Sequence, residues 1–226
     1  MRELALLSAL ALASGLGAQI AGQANSGYKT EEQRKSVAKT LADPKRDQTQ
    51  QPAKLVREMS IEPGMTVADI GTGIGYMLPF LSRAVGAEGK VIAEDIFDDF
   101  LEGARQRVQS AKLANVSFVK GTATDPNLPE GQLDVVLVLD VYHHFDYPEK
   151  MLAAISKSLK PEGKLVIVEY YKREEAMANK RALTHIRLDM PDVIKEIEAN
   201  QFHLISEKET IKNVQYMLVL EKKAAK

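Results

Sequence analysis

One stretch constrains this chain more than any other: Val67-Ala68-Asp69-Ile70-Gly71-Thr72-Gly73-Ile74-Gly75. Apolar residues climb into it from Met65, as in a buried strand, and three glycines follow at alternate positions. From Tyr76 to Val85 apolar residues recur at helical spacing. Pro79 falls early in that helix, where a missing N–H costs least. Strand, glycine turn and helix form the first unit of a doubly wound α/β sheet. Glycine lets the backbone approach a ligand closely, and the helix start offers free N–H groups to an anion.

The glycine spacing alone also fits an ordinary strand-to-helix turn. Asp69, two residues before the first glycine, narrows the choice. A pyrophosphate in the turn would be repelled by that carboxylate, whereas a ligand with a cationic amino group would be attracted. One unit later Val91-Ile92-Ala93-Glu94-Asp95 reads as a second strand ending in acid. An acid there reaches ribose hydroxyls in doubly wound folds.

Together these residues resemble motif I and the second-strand acid of the class I S-adenosylmethionine-dependent methyltransferases. The resemblance covers roughly residues 45–222. It implies a seven-stranded doubly wound sheet, mostly parallel, with an antiparallel C-terminal edge hairpin and helices on both faces. It implies S-adenosylmethionine as cofactor. Asp69 would hold its amino group, the backbone of Gly71, Thr72, Gly73 and Gly75 its carboxylate, and Asp95 with Ile96 its ribose. Thr122 and Ala123 would lie near the adenine, although Thr122 stands where many relatives carry an aspartate. Asp140 would complete the cofactor site.

The remaining elements follow from periodicity. Thr30 to Ala42 fits a solvated helix with Thr30 and Gln33 as capping pair, and 45–52 a loop before a short helix, Ala53 to Ser60. Phe97 to Leu113 is helical, and Asn115 to Lys120 is a short strand. Leu133 to Leu139 is continuously apolar, as expected of a central parallel strand. It runs into Asp140-Val141-Tyr142-His143-His144-Phe145, at the end of the sheet where ligands sit. His143 is the first candidate for a general base and His144 the second. Residues 160–164 read as a turn before a fifth strand, Leu165 to Tyr171, whose Glu169 and Tyr170 end at the same edge. Phe202 to Ser206 and Val214 to Leu220 form the closing hairpin. Tyr142, Tyr170, His185 and Arg187 are candidates for gripping a small organic acceptor. The stretch at 140–143 is not the Asn/Asp-Pro-Pro-Tyr of adenine-N6 and glutamine methyltransferases.

The N-terminus adds a different property. Leu4 to Leu16 is almost wholly apolar behind a short charged start, and Gly22-Gln23-Ala24 is a plausible cleavage site. Residues 1–24 are therefore expected to be an export leader, too short to span a membrane stably, and the mature chain to lie in the periplasm or outside the cell. Residues 25–60 are expected to be a helical extension or lid, and 61–226 the main domain. In 25–60, Arg46, Asp47, Gln50 and Pro52 match an Arg-Asp-x-Trp-Gln-x-Pro element of exported-looking relatives, with Thr49 in the aromatic position. An exported enzyme would have to obtain a cytosolic cofactor. The absence of cysteine removes disulfides, thiolate metal sites and thiol nucleophiles, and no metal ion is expected. A net charge of −1 shows no nucleic-acid footprint. Two rival readings stand beside methyl transfer. One is an exported binding protein on the same scaffold. The other is a nicotinamide-dependent oxidoreductase, which needs G-x-G-x-x-G and an apolar approach to it.

Overall fold

The computed structural model describes residues 20–223. Most of the expected leader thus lies outside the described residues. A 3-10 turn at Ala24–Tyr28 leads into α1 (Glu31–Leu41), α2 (Arg46–Gln50) and α3 (Pro52–Glu58). α1 begins with the reciprocal bonds expected of Thr30 and Gln33, which satisfy two donors of the first turn. The expected loop at 45–52 contains α2. It ends at Gln51, whose left-handed backbone (φ 49°) turns the chain before Pro52 opens α3.

The main domain alternates strands and helices: β1 (Thr66–Ile70), α4 (Leu78–Val85), β2 (Lys90–Asp95), α5 (Asp98–Ser110), β3 (Val116–Lys120), β4 (Leu133–Leu139) and α6 (Pro148–Ser158). There follow β5 (Leu159–Tyr170), α7 (Ala182–His185), α8 (Met190–Ala199), β6 (Phe202–Ile211) and β7 (Gln215–Lys222). The sheet order is β3-β2-β1-β4-β5-β7-β6. Neighbours from β3 to β5 are parallel, and β7 pairs antiparallel with both β5 and β6. This is the seven-stranded sheet with an antiparallel edge that the sequence implied.

Side-chain alternation sends each strand's apolar residues to two cores. Ala68, Val136, Val138, Leu165 and Ile167 meet Leu152 and Ile155 of α6 and Val193 and Ile197 of α8. On the other face Val67, Val135, Leu137 and Val166 meet Leu55 of α3, Leu78 and Leu81 of α4 and Val108 of α5. Among the described residues no helix is long and apolar enough to cross a membrane.

Two strand boundaries differ from expectation. The turn at 160–164 lies inside β5, because Leu159 already pairs with Leu133 before the register shifts to Lys164 opposite Val135. The extra residues bulge from the sheet, which lets a proline and a glycine remain within a strand. β6 runs on to Ile211, since Glu207, Lys208 and Glu209 pair with β7 while their charged side chains stay solvated.

The strand order reverses between β1 and β4, so a crevice opens beyond their carboxyl ends. Gly71 makes the turn there at φ +65°, and a Cβ on it would lie 2.6 Å from Val141 Cγ1. Gly71→Ala is therefore expected to destabilise the fold by about 1–3 kcal/mol through strain and overpacking. Urea unfolding reads this directly, and an unchanged midpoint would mean that the turn relaxes freely.

Candidate functional site

The crevice is a cavity of about 830 Å³, roofed by residues 25–49 and floored by the ends of β1, β2, β4 and β5. Asp69 ends up inside because its alternation places it at the end of β1, under the glycine turn. It is 2% exposed, and its Oδ2 accepts the Thr72 hydroxyl at 2.7 Å. Burial pushes its carboxyl up to about 7, against the pull of that hydrogen bond. Asp140 is pushed to about 7 by burial and by the nearby Glu169, and Asp95 to about 6 by burial, which three backbone amides oppose. Glu94, behind the turn, is pushed to about 8 by burial and the adjacent Asp95.

The glycine turn is wired differently from the expectation. Gly71 N–H donates to Glu94 Oε2 (3.2 Å), Thr72 N–H to the Glu94 carbonyl (2.8 Å) and Gly73 N–H to Asp95 Oδ2 (2.9 Å). Gly75 N–H closes on the Thr72 carbonyl. These amides hold the turn to β2 rather than facing an anion, so the glycines act through their missing side chains. A Cβ on Gly75 would press on Ala104 of α5 at 3.2 Å, so this glycine sets helix packing and does not line the cavity.

The cation at this end is Arg46 of α2. Its guanidinium lies 4.0 Å above the Tyr76 ring, and Nη2 is 3.6 Å from Asp140 Oδ2. Asp140, itself at φ 56°, also accepts from Gln215 Nε2 at 2.7 Å, and Gln215 accepts from Gln50 Nε2 at 2.8 Å. Arg46 and Gln50 of the matched N-terminal element thus tie the roof to the last strand and to the cavity wall. Thr49, at that element's aromatic position, lines the cavity too.

At the opposite end a 3-10 turn, Tyr142–His144, follows β4. His143 is 3% exposed and its Nδ1 lies 2.7 Å from Oε2 of Glu169, which is 1% exposed. Its Nε2 lies 3.2 Å from His185 Nε2. His144 Nδ1 lies 2.8 Å from Asn25 Oδ1, and Tyr28 packs edge-on against its ring. Burial and the adjacent His143 hold His144 well below the usual imidazole value, and the same causes bring His185 down to about 4. Tyr170 lines the cavity beside Asp140, whose charge, with burial, keeps its phenol protonated.

Asp69, Gly71, Thr72, Gly73, Asp95, Ile96, Ala123, Asp140, His143, His144, Tyr170 and His185 thus share one cavity. Besides Gly75, three expected residues lie elsewhere. Tyr142 turns inward from the 3-10 turn, and its hydroxyl donates to Glu196 Oε1 at 2.6 Å. Arg187 grips the same Glu196 at 2.5 and 2.8 Å, so the two brace α8 instead of an acceptor. The Thr122 hydroxyl accepts from the amides of Asp125 and Thr124, capping its own turn. Asn25, Arg46, Glu169 and Arg181 join the site without having been assigned to it. Glu169 carried a signal, an acid ending a buried strand, whereas Asn25 and Arg181 sit in polar stretches with none.

The family described as a methyltransferase domain matches residues 68–167. Over 129 residues the chain is 30% identical to the ubiquinone/menaquinone biosynthesis C-methyltransferase UbiE of Teredinibacter turnerae, covering 56% of this chain and 52% of that protein. The Marinomonas UbiE is 30% identical over 54% of this chain and 49% of its own length. The chain spans about half the length of the curated relatives it matches. A solved S-adenosylmethionine-dependent methyltransferase from Aquifex aeolicus is 27% identical, with a TM-score of 0.77 over 83% of this chain and 98% of that one. Motif, strand order and relatives agree: residues 68–167 match the methyltransferase domain, and the chain has the Rossmann-like fold of S-adenosylmethionine-dependent methyltransferases.

Proposed function

We propose that this protein moves a methyl group from S-adenosylmethionine to a small organic acceptor held at the histidine end of the cavity. The observation that carries the reading is the placement of two buried carboxyls, Asp69 and Asp95, and the partly buried Asp140 around one cavity whose far end holds the His143–Glu169 pair. Among the described residues Arg46 is the cation paired with Asp140, and burial, with the nearby Glu169 acting on Asp140, makes these acids reluctant to ionise. A ligand bearing an ammonium suits such a wall, and that fit favours S-adenosylmethionine over a pyrophosphate cofactor. The bound cofactor supplies an electrophilic methyl on a sulfonium, which leaves as a neutral thioether.

The residues then divide the work. Asp69 receives the ammonium and Arg46 the carboxylate. Asp95, whose oxygens retain free lone pairs beyond their amide bonds, takes the ribose hydroxyls. Positioning supplies most of the catalysis in a displacement of this kind. His143, oriented by Glu169 through Nδ1, presents Nε2 to the acceptor's proton. The aromatic and thioether wall of Tyr28, Phe97, Phe145 and Met151 suits a planar ring, and the matched relatives are named for quinone biosynthesis. A phenolic or quinone-like acceptor follows from that wall. The test is cofactor-dependent formation of S-adenosylhomocysteine with a panel of small phenols and quinols. No saturable cofactor binding by folded protein would sink the reading and favour an exported binding protein.

The buried acids give the cofactor site a definite pH response. Ionised Asp69 and Asp140 bind an ammonium better than their protonated forms, and both sit at about 7 in the ligand-free fold. Affinity is therefore expected to rise between pH 6 and pH 8, by at most about tenfold per unit for each group. The same shift acts oppositely on the free protein. Acids raised from 3.8 to about 7 contribute stability that is complete below the unfolded value and is lost as pH rises through the folded one. Calorimetric titrations and urea midpoints across that range check both signs, and a flat affinity profile would remove these carboxyls from the cofactor.

We further propose that residues 1–24 form an export leader and that 25–60 act as a lid. Ala21 and Ala24 are buried, and Ala21 N–H donates to Asp146 Oδ1. Cleavage after Ala24 would free the residues before it and keep Asn25 on His144. Mass spectrometry of protein recovered from the periplasm is expected to show a chain starting at Asn25. A mass that includes Met1 would overturn the export proposal.

A further inference from the structure

Three histidines from distant parts of the chain converge at the acceptor end. One ring nitrogen from each of His143, His144 and His185 lies within 4.8 Å of one from each of the others. Their surroundings are those of ligands. Glu169 Oε2 at 2.7 Å from His143 Nδ1 and Asn25 Oδ1 at 2.8 Å from His144 Nδ1 are acceptors. In the neutral rings both protons therefore sit on Nδ1, and both Nε2 atoms carry bare lone pairs. His143 Nε2 faces His185 Nε2 at 3.2 Å. Arg181 Nη2, which can only donate, lies 3.2 Å from the same His185 nitrogen. Arg181 Nη2 also lies 3.4 Å from His185 Nδ1, so the His185 proton can sit on either ring nitrogen, and a cation between the two Nε2 atoms takes the place of that proton.

The distance fits as well. A tetrahedral centre with metal–nitrogen bonds of about 2.0–2.1 Å has nitrogen–nitrogen edges of about 3.3 Å. The His143–His185 edge is 3.2 Å, and the wider separation from His144 closes on binding. Metal-bound histidines commonly donate their other N–H to a carboxylate or carbonyl oxygen, as Glu169 and Asn25 permit here.

We propose that His143, His144 and His185 bind a divalent first-row transition-metal ion such as zinc or cobalt through Nε2, with one position open to the cavity. Imidazole ligands suit ions of this class. Asp140 and Glu169 supply negative charge close to the rings, while Arg181, exposed on its surface segment, swings aside. The proposal rests on the methyltransferase reading only for what fills the open position. There an oxygen of the acceptor replaces water and releases its proton to solvent. The ion then lowers that oxygen's pKa, and in the metal-loaded protein His143 Nε2 is a ligand, so the base role assigned to it above belongs to the metal-free protein alone.

The test uses full-length protein, purified without a polyhistidine tag and stripped with chelator. Cobalt(II) is titrated and followed by its visible d–d absorption. Saturation at one ion per chain, reversed by zinc, is expected. Glu169→Gln should weaken binding by about 10–100-fold, and His185→Ala should abolish the band. His185 ends a short helix at the surface, so that variant is expected to fold, and circular dichroism checks it. Folded protein that gives no cobalt band, or a band unchanged in His185→Ala, overturns the site. S-adenosylmethionine is titrated into the same stripped sample. Cobalt binding without cofactor binding would leave the metal site standing and sink the methyltransferase reading, and the reverse result would sink the metal site alone.

Discussion

Asp69→Ala is expected to weaken S-adenosylmethionine binding by about 2–4 kcal/mol, a factor of roughly 30 to 1,000. Asp69 lies 2% exposed at the end of β1, so an ammonium beside it would be shielded from water and the lost charge poorly replaced. The alanine also removes the partner of the Thr72 hydroxyl, which could loosen the glycine turn. Asp69→Asn separates the two effects, because the amide oxygen still accepts from Thr72 while the charge is gone. On the proposed assignment both variants lose affinity. The asparagine variant is also at least as stable as the parent at pH 8, since it no longer ionises a buried acid. Isothermal titration and urea unfolding of the three proteins decide the matter. Parental affinity in Asp69→Asn would place the ammonium elsewhere.

The second large effect is expected at the other end of the cavity. Removing the His143 imidazole should lower kcat by about 10²–10⁴-fold and leave cofactor affinity nearly unchanged. His143→Ala alone is a poor experiment, because it strands Glu169, which is 1% exposed, without its partner. His143→Gln is the better variant, for its side-chain amide can still donate to that carboxylate. Its expected signature is a fall in kcat at constant cofactor Kd, measured by single-turnover kinetics with saturating cofactor. A loss of cofactor binding with turnover per bound complex intact would remove His143 from the chemistry.

The histidine end also shows where reading the chain stopped short. His143 and Tyr142 are adjacent and equally conspicuous after β4, yet the 3-10 turn sends one ring into the cavity and the other to Glu196. No spacing rule distinguishes them, because side-chain direction in so short a turn follows from what packs on either side. Arg187 was drawn away by the same glutamate. Glu169 was visible as an acid ending β5, but its role depends on the pairing of β5 with β4, which brings it beside His143. Asn25 and His143 are 118 positions apart in the chain, and only the roof's path over the sheet brings Asn25 to the adjacent His144.

The sequence by itself determined the sheet, the glycine turn, the two strand-end acids and the crevice that contains them. These are local patterns: apolar runs, glycines at positive φ, and acids where strands stop. Their geometry follows from backbone sterics and periodicity within a few residues. Only the tertiary structure decided that the turn's amides bond to β2, that Arg46 stands between Tyr76 and Asp140, and that three histidines meet. Each of those contacts joins segments brought together by burial of the two apolar faces, and hydrophobic burial carries no direction of its own. Which polar groups meet at the rim is settled by packing of the whole sheet, so it is written in no single stretch of the chain.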